Sequence, residues 1–495
     1  MLSRRAQTLV AVGLLAGNVV AWLIPSNVLT LVAREQAVLL GRYSRPHLLW
    51  LITAGAATLV ALLMGSAADA RARRLRAFKL VSVTTFGLLA FLAADVALRF
   101  FTPLPYVLDR VAYRRPASAV IETTYDDRPA PGCVYPADPP GFGRVVCRLS
   151  TDRNGFRNGA DRAACDVVAL GDSFTEGSRV TDGDPWPARL ERELSRSVVN
   201  LGVSGYSPQH CAAAWADFGA ALHPRDVVLL LYEGNDFRAV DADVRKTVSL
   251  KKIIRTSPIL AGLERLLVDR LGAINRGAAA RRLDLLSWMP IALPASGGVS
   301  YYAFAPKQLL DLYGRATGFE QSREWQVARQ TLGELHDACA RSGARLTIAY
   351  APVKARVIVP LVADQLPGEK VRAFLSLRSR RLLPPATELM ADLLAGLDRT
   401  EAVVRDWCAA QRVEFVSLTQ PLRRAAAAGR QTYYTYDQHW TPIGHAVAAE
   451  TIAAALREVG SGGTMARRAA ADEGPPGASS RPAADSGQAA PRGGS

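Results

Sequence analysis

Four short polar motifs carry the side chains of this chain that could perform covalent chemistry. They supply a serine, Ser173, a histidine, His439, and an aspartate two residues before the histidine, Asp437. Acyl transfer needs a nucleophile, a base, a group that orients the base and donors for an oxyanion, so these residue types indicate nucleophilic serine chemistry. The motifs are GDSFTEG at 171–177, NLGVSG at 200–205, EGND at 233–236 and DQHWTP at 437–442.

The elements that must position these motifs are apolar runs that read as buried strands. Three of them lead directly into the first three motifs, and helical patterns separate successive runs. Apolar strands that alternate with amphipathic helices predict a parallel sheet covered on both faces, with the motifs converging at one edge. The runs are 167–170, 198–201, 227–232, 345–351 and 414–418.

Taken together, the four motifs resemble the SGNH/GDSL hydrolase superfamily over roughly residues 150–458. The resemblance implies an α/β three-layer sandwich with a flavodoxin-like parallel sheet. It further implies Ser173 as the nucleophile, His439 as the base and Asp437 as the group that orients it. The backbone N–H of Ser173, Gly205 and the side chain of Asn235 would form the oxyanion hole.

One departure concerns the spacing of the last motif. The commonest form in the family is D-x-x-H, whereas Asp437 and His439 form D-x-H. The D-x-H-W-T-P form resembles a bacterial subgroup associated with envelope and exopolysaccharide acylation, and AYAPVK at 349–354 resembles that subgroup too. An alternative role for His445 as the catalytic histidine also stays open.

Three functions follow from the resemblance. The leading one is an esterase that hydrolyses acyl esters, acetyl esters above all, of a small molecule or an envelope glycan. The second is an O-acyltransferase for exopolysaccharide, and the third is a catalytically silent glycan-binding scaffold. The serine–histidine pair argues against the third, because a binding module needs neither group. None of the three requires a metal or another cofactor.

Three apolar runs near the N-terminus, 6–33, 48–68 and 80–94, predict three transmembrane helices. The basic residues between the second and third runs, from Arg71 to Lys79, predict a cytoplasmic loop. Everything after Phe101 then lies outside the cytoplasm, and the family resemblance suggests a multi-pass protein of the bacterial inner membrane.

The domain organisation follows from these segments and from a change in composition near the C-terminus. A stretch that is rich in Gly, Pro, Ser and Ala follows residue 460 and predicts a disordered tail. Residues 237–324 are too long for a simple loop of this fold and could be a substrate-side cap, a membrane-surface contact or structural padding. The predicted units are 1–101 for the transmembrane helices, 102–160 for an extracytoplasmic connector, 161–460 for the hydrolase-like domain with an insertion at 237–324, and 461–495 for the tail.

Charge and cysteine content exclude two further classes of protein. The net charge is +15, but eleven Lys and Arg against three Asp and Glu lie in residues 1–101, and the remaining charge forms no basic–aromatic stripe. Nucleic-acid binding is therefore a poor interpretation, whereas contact with membrane lipid fits. Six cysteines without a CxxC pair argue against zinc. Cys133 and Cys147 could form a disulfide outside the cytoplasm.

Overall fold

The structure is a computed structural model. It describes residues 4–24, 37–39, 43–101, 107–109, 112–127, 141–237, 257–260, 262–263, 266, 288–295, 298–315, 318–376, 379 and 382–472.

After residue 166, strands alternate with helices along most of the chain. The described strands are β1 Ala37–Leu39, β2 Tyr43–Ser44, β3 Val107–Asp109, β4 Ala112–Arg114, β5 Val120–Asp126, β6 Arg144–Ser150, β7 Val167–Leu170, β8 Val198–Asn200, β9 Asp226–Tyr232, β10 Met289–Ala295, β11 Gly298–Phe304, β12 Arg345–Ala351 and β13 Glu414–Ser417. The described helices are α1 Arg4–Leu23, α2 Arg45–Gly65, α3 Ala70–Phe101, α4 Ser173–Glu176, α5 Trp186–Leu194, α6 Pro208–Ala214, α7 Pro306–Arg315, α8 Arg323–Arg341, α9 Lys354–Ile358, α10 Gly368–Ser376, α11 Ala386–Ala395, α12 Arg399–Gln411, α13 Thr419–Ala427 and α14 Pro442–Asp472.

The central sheet has five parallel strands in the order β13-β12-β9-β7-β8. Numbered along the chain, this is the order 2-1-3-4-5 of flavodoxin-like sheets. The strand order reverses between β7 and β9, and such a switch point opens a crevice at the carboxyl ends of the strands. The predicted three-layer α/β fold is therefore confirmed.

Alternate residues of each strand face opposite layers, as the pleat requires. In β7, Val167 and Ala169 belong to the apolar cluster that includes Trp186 of α5 and residues of α14. Val168 and Leu170 belong to the cluster on the other face, which α6, α8 and α12 cover. Both faces of the sheet are buried, which explains why its strands read as continuous apolar runs.

The helical segment between β8 and β9 is irregular. It begins as α6, continues as a π-helix at Trp215–Gly219 and ends as a 3₁₀ turn at Ala220–Leu222. Only glycine fits at position 219, because a Cβ there would lie 2.6 Å from the ring of Trp215. The buried indole of Trp215 thus lies close against the backbone.

Among the described residues, two helices are long and apolar enough to cross a membrane. Their qualifying segments are His47–Gly65 in α2 and Ala70–Leu98 in α3. The first predicted span corresponds to α1, whose apolar part, Val12–Leu23, is shorter. Apolar side chains on the three helices are largely exposed. Among the described residues, the helices that could span a membrane are therefore α2 and α3.

The connector contains more regular structure than its composition suggests. Strands β5 and β6 form an antiparallel hairpin with seven residue pairs, and β3 and β4 form a shorter one. The hairpin ends beside the α/β domain, where the Thr151 hydroxyl accepts Ala119 N at 2.9 Å and donates to Pro116 O at 2.6 Å. Cys147 in β6 is a buried free thiol, and Cys133 lies outside the described residues.

The described part of the 237–324 insert contributes to the core. Strands β10 and β11 form an antiparallel hairpin, and Ile291, Leu293, Tyr302 and Phe304 from it pack into the cluster that contains α14. This hairpin is therefore an integral structural part of the domain. A second described piece contacts the membrane part, where Ser257 Oγ donates to the buried carboxylate of Asp95 in α3 at 2.5 Å.

The end of the chain differs from expectation in one respect. Helix α14 continues to Asp472, beyond the boundary at 460 expected from composition. Residues 473–495 of the predicted tail lie outside the described residues.

Candidate active site

Ser173 lies at the sharp turn from β7 into α4. The turn needs Gly171, whose φ is +153° and where a Cβ would lie 2.2 Å from Thr175 Oγ1. Asp172 caps the helix by accepting a hydrogen bond from Phe174 N at 2.9 Å. Because Ser173 is the first residue of the helix, its N–H has no intrahelical acceptor and can serve a ligand.

His439 joins the serine to the predicted aspartate. Its Nε2 lies 2.8 Å from Ser173 Oγ, and its Nδ1 lies 2.5 Å from Asp437 Oδ1. A carboxylate can only accept, so Nδ1 carries the proton and Nε2 presents its lone pair to the serine hydroxyl. The ring packs against Phe174, with centroids 5.1 Å apart. The structure thus brings these three predicted site residues into one hydrogen-bonded chain.

The carboxyl group of Asp437 remains ionised through the neutral range. Burial alone would raise its pKa, but the charge and hydrogen bonds of His439, aided by Arg179, hold the pKa well below its usual value. Asp437 Oδ1 also accepts the backbone N–H of His439 at 2.9 Å. The two-residue spacing therefore lets one oxygen bind both the backbone and the ring of the same histidine.

Asn235 lies across the switch point from Ser173, just after β9. Its Nδ2 donates to Asp172 Oδ2 at 2.9 Å, which leaves a second amide hydrogen for another acceptor. Burial raises the pKa of Asp172, and the hydrogen bonds from Phe174 and Asn235 counter the rise. Asp172 therefore links the helix that holds the serine to the side chain of Asn235.

Gly205 lies in an exposed turn with a φ of +86°. The turn is tied to the first motif through Val203, whose N–H donates to Gly171 O at 3.3 Å. Asn200 strengthens this connection, since its Nδ2 donates to Thr175 O at 2.8 Å. The second motif thus adjoins the serine turn.

Other motif residues have structural partners. Asp236 accepts the backbone N–H of Tyr232 at 2.7 Å, in keeping with a structural role. Glu233 forms a buried ion pair with Arg356, at 2.8 Å between its Oε2 and Nε of the arginine. His445 is buried, and burial lowers its pKa well below the usual value. Its Nδ1 accepts from Trp186 N at 3.3 Å, away from Ser173.

Sequence reasoning missed three charged residues near this site. Arg179, half-exposed, donates from Nε to Asp437 Oδ2 at 3.2 Å. Asp127 and Lys354 bind the backbone of the loop that carries Asp437. Arg179 and Asp127 lie in no motif, and only Lys354 ends a segment, 349–354, that the sequence singled out.

Two known protein families match parts of this chain. A family described as GDSL-like lipase/acylhydrolase matches residues 169–365, and one described as SGNH hydrolase-like domain, acetyltransferase AlgX, matches 315–485. The two ranges contain all four motifs between them. The chain belongs to the SGNH hydrolase superfamily. Within it, the chain is related to the AlgX-type acetyltransferase-like domains as well as to the GDSL hydrolases.

Several solved structures are similar at low identity. A G-D-S-L family lipolytic protein from Desulfitobacterium hafniense DCB-2 has 12% identity and a TM-score of 0.28, with coverage of 58% of this chain and 98% of that one. A GDSL-like lipase from Bacteroides thetaiotaomicron VPI-5482 has 12% identity, a TM-score of 0.27 and coverage of 59% and 88%. An alpha/beta hydrolase enzyme from the metagenome of Lake Arreo, Spain, has 16% identity, a TM-score of 0.28 and coverage of 60% and 96%. The comparison with curated proteins gives no match.

Proposed function

We propose that this protein is a membrane-anchored serine esterase whose catalytic domain lies outside the cytoplasm and removes acyl groups, acetyl groups above all, from oxygen esters. The observation that carries the proposal is the hydrogen-bonded chain from Ser173 Oγ through His439 to Asp437, with spacings of 2.8 and 2.5 Å. Such a chain lets a histidine accept the serine proton while the aspartate stabilises the resulting imidazolium.

The reaction proceeds in two steps. Ser173 Oγ attacks the ester carbonyl and gives its proton to Nε2 of His439, and the imidazolium then protonates the leaving alcohol. The resulting acyl-enzyme is released by water, with His439 again acting as the base. Each step passes through an oxyanion, for which the N–H groups of Ser173 and Gly205 and the amide of Asn235 are the donors.

An O-acyltransferase is the second candidate, since one of the matching families is described as an acetyltransferase. It uses the same acyl-enzyme but releases it to a sugar hydroxyl, so exopolysaccharide or another envelope glycan would be the acceptor. A catalytically silent glycan-binding scaffold, the third candidate, does not account for the pairing of Ser173 with His439.

Three membrane spans fit the contacts of the N-terminal helices. Helix α1 has 20 residues, about 30 Å, which is enough for the hydrocarbon core. It is antiparallel to α2, because Asn18 donates to Thr58 Oγ1 at 2.5 Å and the Tyr43 hydroxyl donates to Trp22 O. The basic residues 71–79, which form the first turns of α3, then lie on the same side as the start of α1.

This arrangement favours one orientation. Arg4 and Arg5 at the start of α1 would share the cytoplasmic side with the basic first turns of α3. The third span would then carry residues after 101, including the α/β domain, to the outer side of the bacterial inner membrane.

The test uses the full-length protein in detergent. An active-site phosphonate and a small aryl acetate are offered to the wild type, to Ser173→Ala and to Ser178→Ala, a matched control five residues further on. We expect Ser173→Ala to lose both labelling and turnover, and the Ser178→Ala protein to behave like the wild type. Labelling of Ser173→Ala at another serine would refute the assignment of the nucleophile.

A second experiment separates the two reactions. Mass spectrometry follows the acyl-enzyme formed from an activated acetyl ester, with and without an envelope glycan as acceptor. Release at the same rate in both cases, with acetate as the product, supports hydrolysis. Faster release with acetylated glycan as the product supports transfer and would replace the esterase assignment.

A further inference from the structure

The loop between Tyr433 and Trp440 carries both Asp437 and His439, yet it contains no helix or extended strand. A single antiparallel bridge between Tyr433 and Trp440 closes it, and Tyr434 N donates to His439 O at 3.1 Å inside it. Residues 433–436 of the loop are buried, so their backbone groups need hydrogen-bond partners within the protein. Contacts from outside the loop must therefore hold Asp437 in position.

Asp127 supplies such contacts from the connector. Its carboxylate is 1% exposed and lies just after β5. Oδ2 accepts Thr435 N at 2.8 Å, and Oδ1 accepts Tyr436 N at 3.0 Å. The same oxygens accept Phe142 N at 2.7 Å and the Tyr125 hydroxyl at 2.9 Å. Four donors thus hold this carboxylate, two of them from the catalytic loop.

Lys354 binds the opposite, carbonyl side of the same loop. Its side chain is fully buried at the start of α9, and Nζ donates to Tyr434 O at 3.1 Å, Thr435 O at 2.7 Å and Asp437 O at 3.1 Å. An ammonium has three hydrogens, and three carbonyls accept them here. Neutral lysine has only two, so at least one carbonyl would lose its donor on deprotonation.

We propose that Asp127 and Lys354 form a clamp of opposite charges that positions the Asp437–His439 pair against the serine. Both are positioning residues, because they contact the loop backbone and not the reacting atoms. The proposal rests on the function proposed above and deepens it. Asp127 precedes both matched family ranges, so the connector that follows the last membrane helix becomes part of the catalytic unit.

Aromatic packing fixes the connector hairpin against this loop. The Tyr434 ring lies 5.2 Å from the ring of Tyr125 and 5.2 Å from that of Phe142, with edge-to-face geometry in both cases. The Tyr434 hydroxyl donates to Arg179 O at 2.5 Å, and the Arg179 guanidinium lies 4.5 Å from the centre of the Tyr125 ring. The hairpin thus packs on the loop through side chains as well as through Asp127.

The clamp has a consequence for pH dependence. Burial lowers the pKa of Lys354 to about 7, while Asp127 and Asp437, the charged groups that face it, oppose this shift. As the pH rises through that value, the ammonium loses a proton and the clamp loosens. Activity therefore falls as the pH rises. A catalytic histidine that must be neutral gives the opposite trend, because its activity rises with pH.

The test measures kcat, KM and the pH profile on an aryl acetate for the full-length protein. Asp127→Asn is compared with Asp126→Asn, the adjacent half-exposed aspartate. Misplacement of a reacting group by about 1 Å costs on the order of 10²-fold, so we expect Asp127→Asn to lower kcat by about that factor with little change in KM. Lys354→Met should lower kcat and remove the alkaline limb.

A readout that does not depend on turnover separates this proposal from the enzymatic one. The proton between His439 Nδ1 and Asp437, which are 2.5 Å apart, should resonate far downfield in the ¹H NMR spectrum. We expect Asp127→Asn and Lys354→Met to shift or broaden it and Asp126→Asn to leave it unchanged. Asp437→Ala identifies the signal by removing it, because no acceptor for the Nδ1 proton then remains at this position.

The outcomes are distinguishable. An unchanged kcat and an unchanged downfield proton in both clamp variants would overturn the clamp, even with Ser173 proven as the nucleophile. An active Ser173→Ala protein would overturn the proposed function, while the downfield proton would still test the clamp. Should Asp127→Asn fail to fold, Asp127→Glu keeps the charge but displaces the oxygens, and its full activity with an unchanged proton would also refute the clamp.

Discussion

Replacement of Asp437 by asparagine tests how the catalytic chain works. Asp437 Oδ1 accepts two hydrogen bonds, from Nδ1 and from the backbone N–H of His439, whereas Oδ2 accepts one from the half-exposed Arg179. The amide oxygen of an asparagine should therefore take the place of Oδ1, because two donors outweigh one. The tautomer of His439 would then be retained, and the loss would be that of the negative charge.

The size of that loss follows from the distance between the charges. The ionised carboxylate is within about 4 Å of the centre of the imidazolium charge, and at an effective dielectric of about 20 such a pair is worth about 4 kcal/mol. Each 1.36 kcal/mol changes a rate about tenfold, so Asp437→Asn should lower kcat by roughly 10³. Asp437→Ala also removes control of the tautomer and should cost roughly 10⁴.

The assay is the steady-state turnover of an aryl acetate at a pH of about 7, where the Lys354 ammonium is still largely present, combined with a double-mutant cycle. His439→Ala should lose at least as much activity as Asp437→Ala, and the double variant should lose little more, because residues that act as a unit are strongly non-additive. Asp184→Asn is the matched control, since Asp184 also pairs with an arginine, Arg189, and touches neither reacting group. Additive losses in the cycle would remove Asp437 from the site and leave a serine–histidine dyad.

Three further predictions concern the oxyanion hole, the core and the topology. Asn235→Ala should lower kcat by about 10²–10³ and change KM much less, as expected for one oxyanion donor; an effect confined to KM would assign Asn235 to substrate positioning. Arg356→Met leaves Glu233 as a buried unpaired charge and should destabilise the fold by about 3–5 kcal/mol in urea titrations. Adding Glu233→Leu to Arg356→Met should recover much of that loss. Equal stability of the single and the double variant would contradict the explanation by a buried unpaired charge. A reporter that is active only outside the cytoplasm should be active after Ser495 and silent near Arg74, and the reverse pattern would overturn the proposed orientation.

The sequence by itself determined the sheet and the four motifs. All five strands of the sheet lie where apolar runs predicted them, within one residue at either end. The reason is local, because a strand buried on both faces must be apolar at consecutive positions over its length. The turn at Ser173 is also encoded locally, because only glycine fits at position 171, where a Cβ would collide with Thr175.

That the motifs lie close together in space could be predicted in part. The parallel order of the strands brings the residues after β7 and β9 to one edge, which accounts for Ser173 and Asn235. The approach of His439 was expected from family resemblance, and only the folded chain sets it at 2.8 Å from the serine. The D-x-H spacing became understandable once Asp437 Oδ1 was found to bind both the backbone and the ring of His439.

Only the tertiary structure decided which residues hold that loop. Asp127 lies more than 300 residues before Thr435, and Lys354 lies 81 residues before it. Their bonds are to backbone atoms, which every residue type possesses, so the contacted positions have no residue-type signature. Periodicity likewise reports the burial of a face but not the partner that buries it. For this reason the sequence indicated the catalytic groups, whereas the attachment of the connector and of Lys354 to the catalytic loop emerged only from the fold.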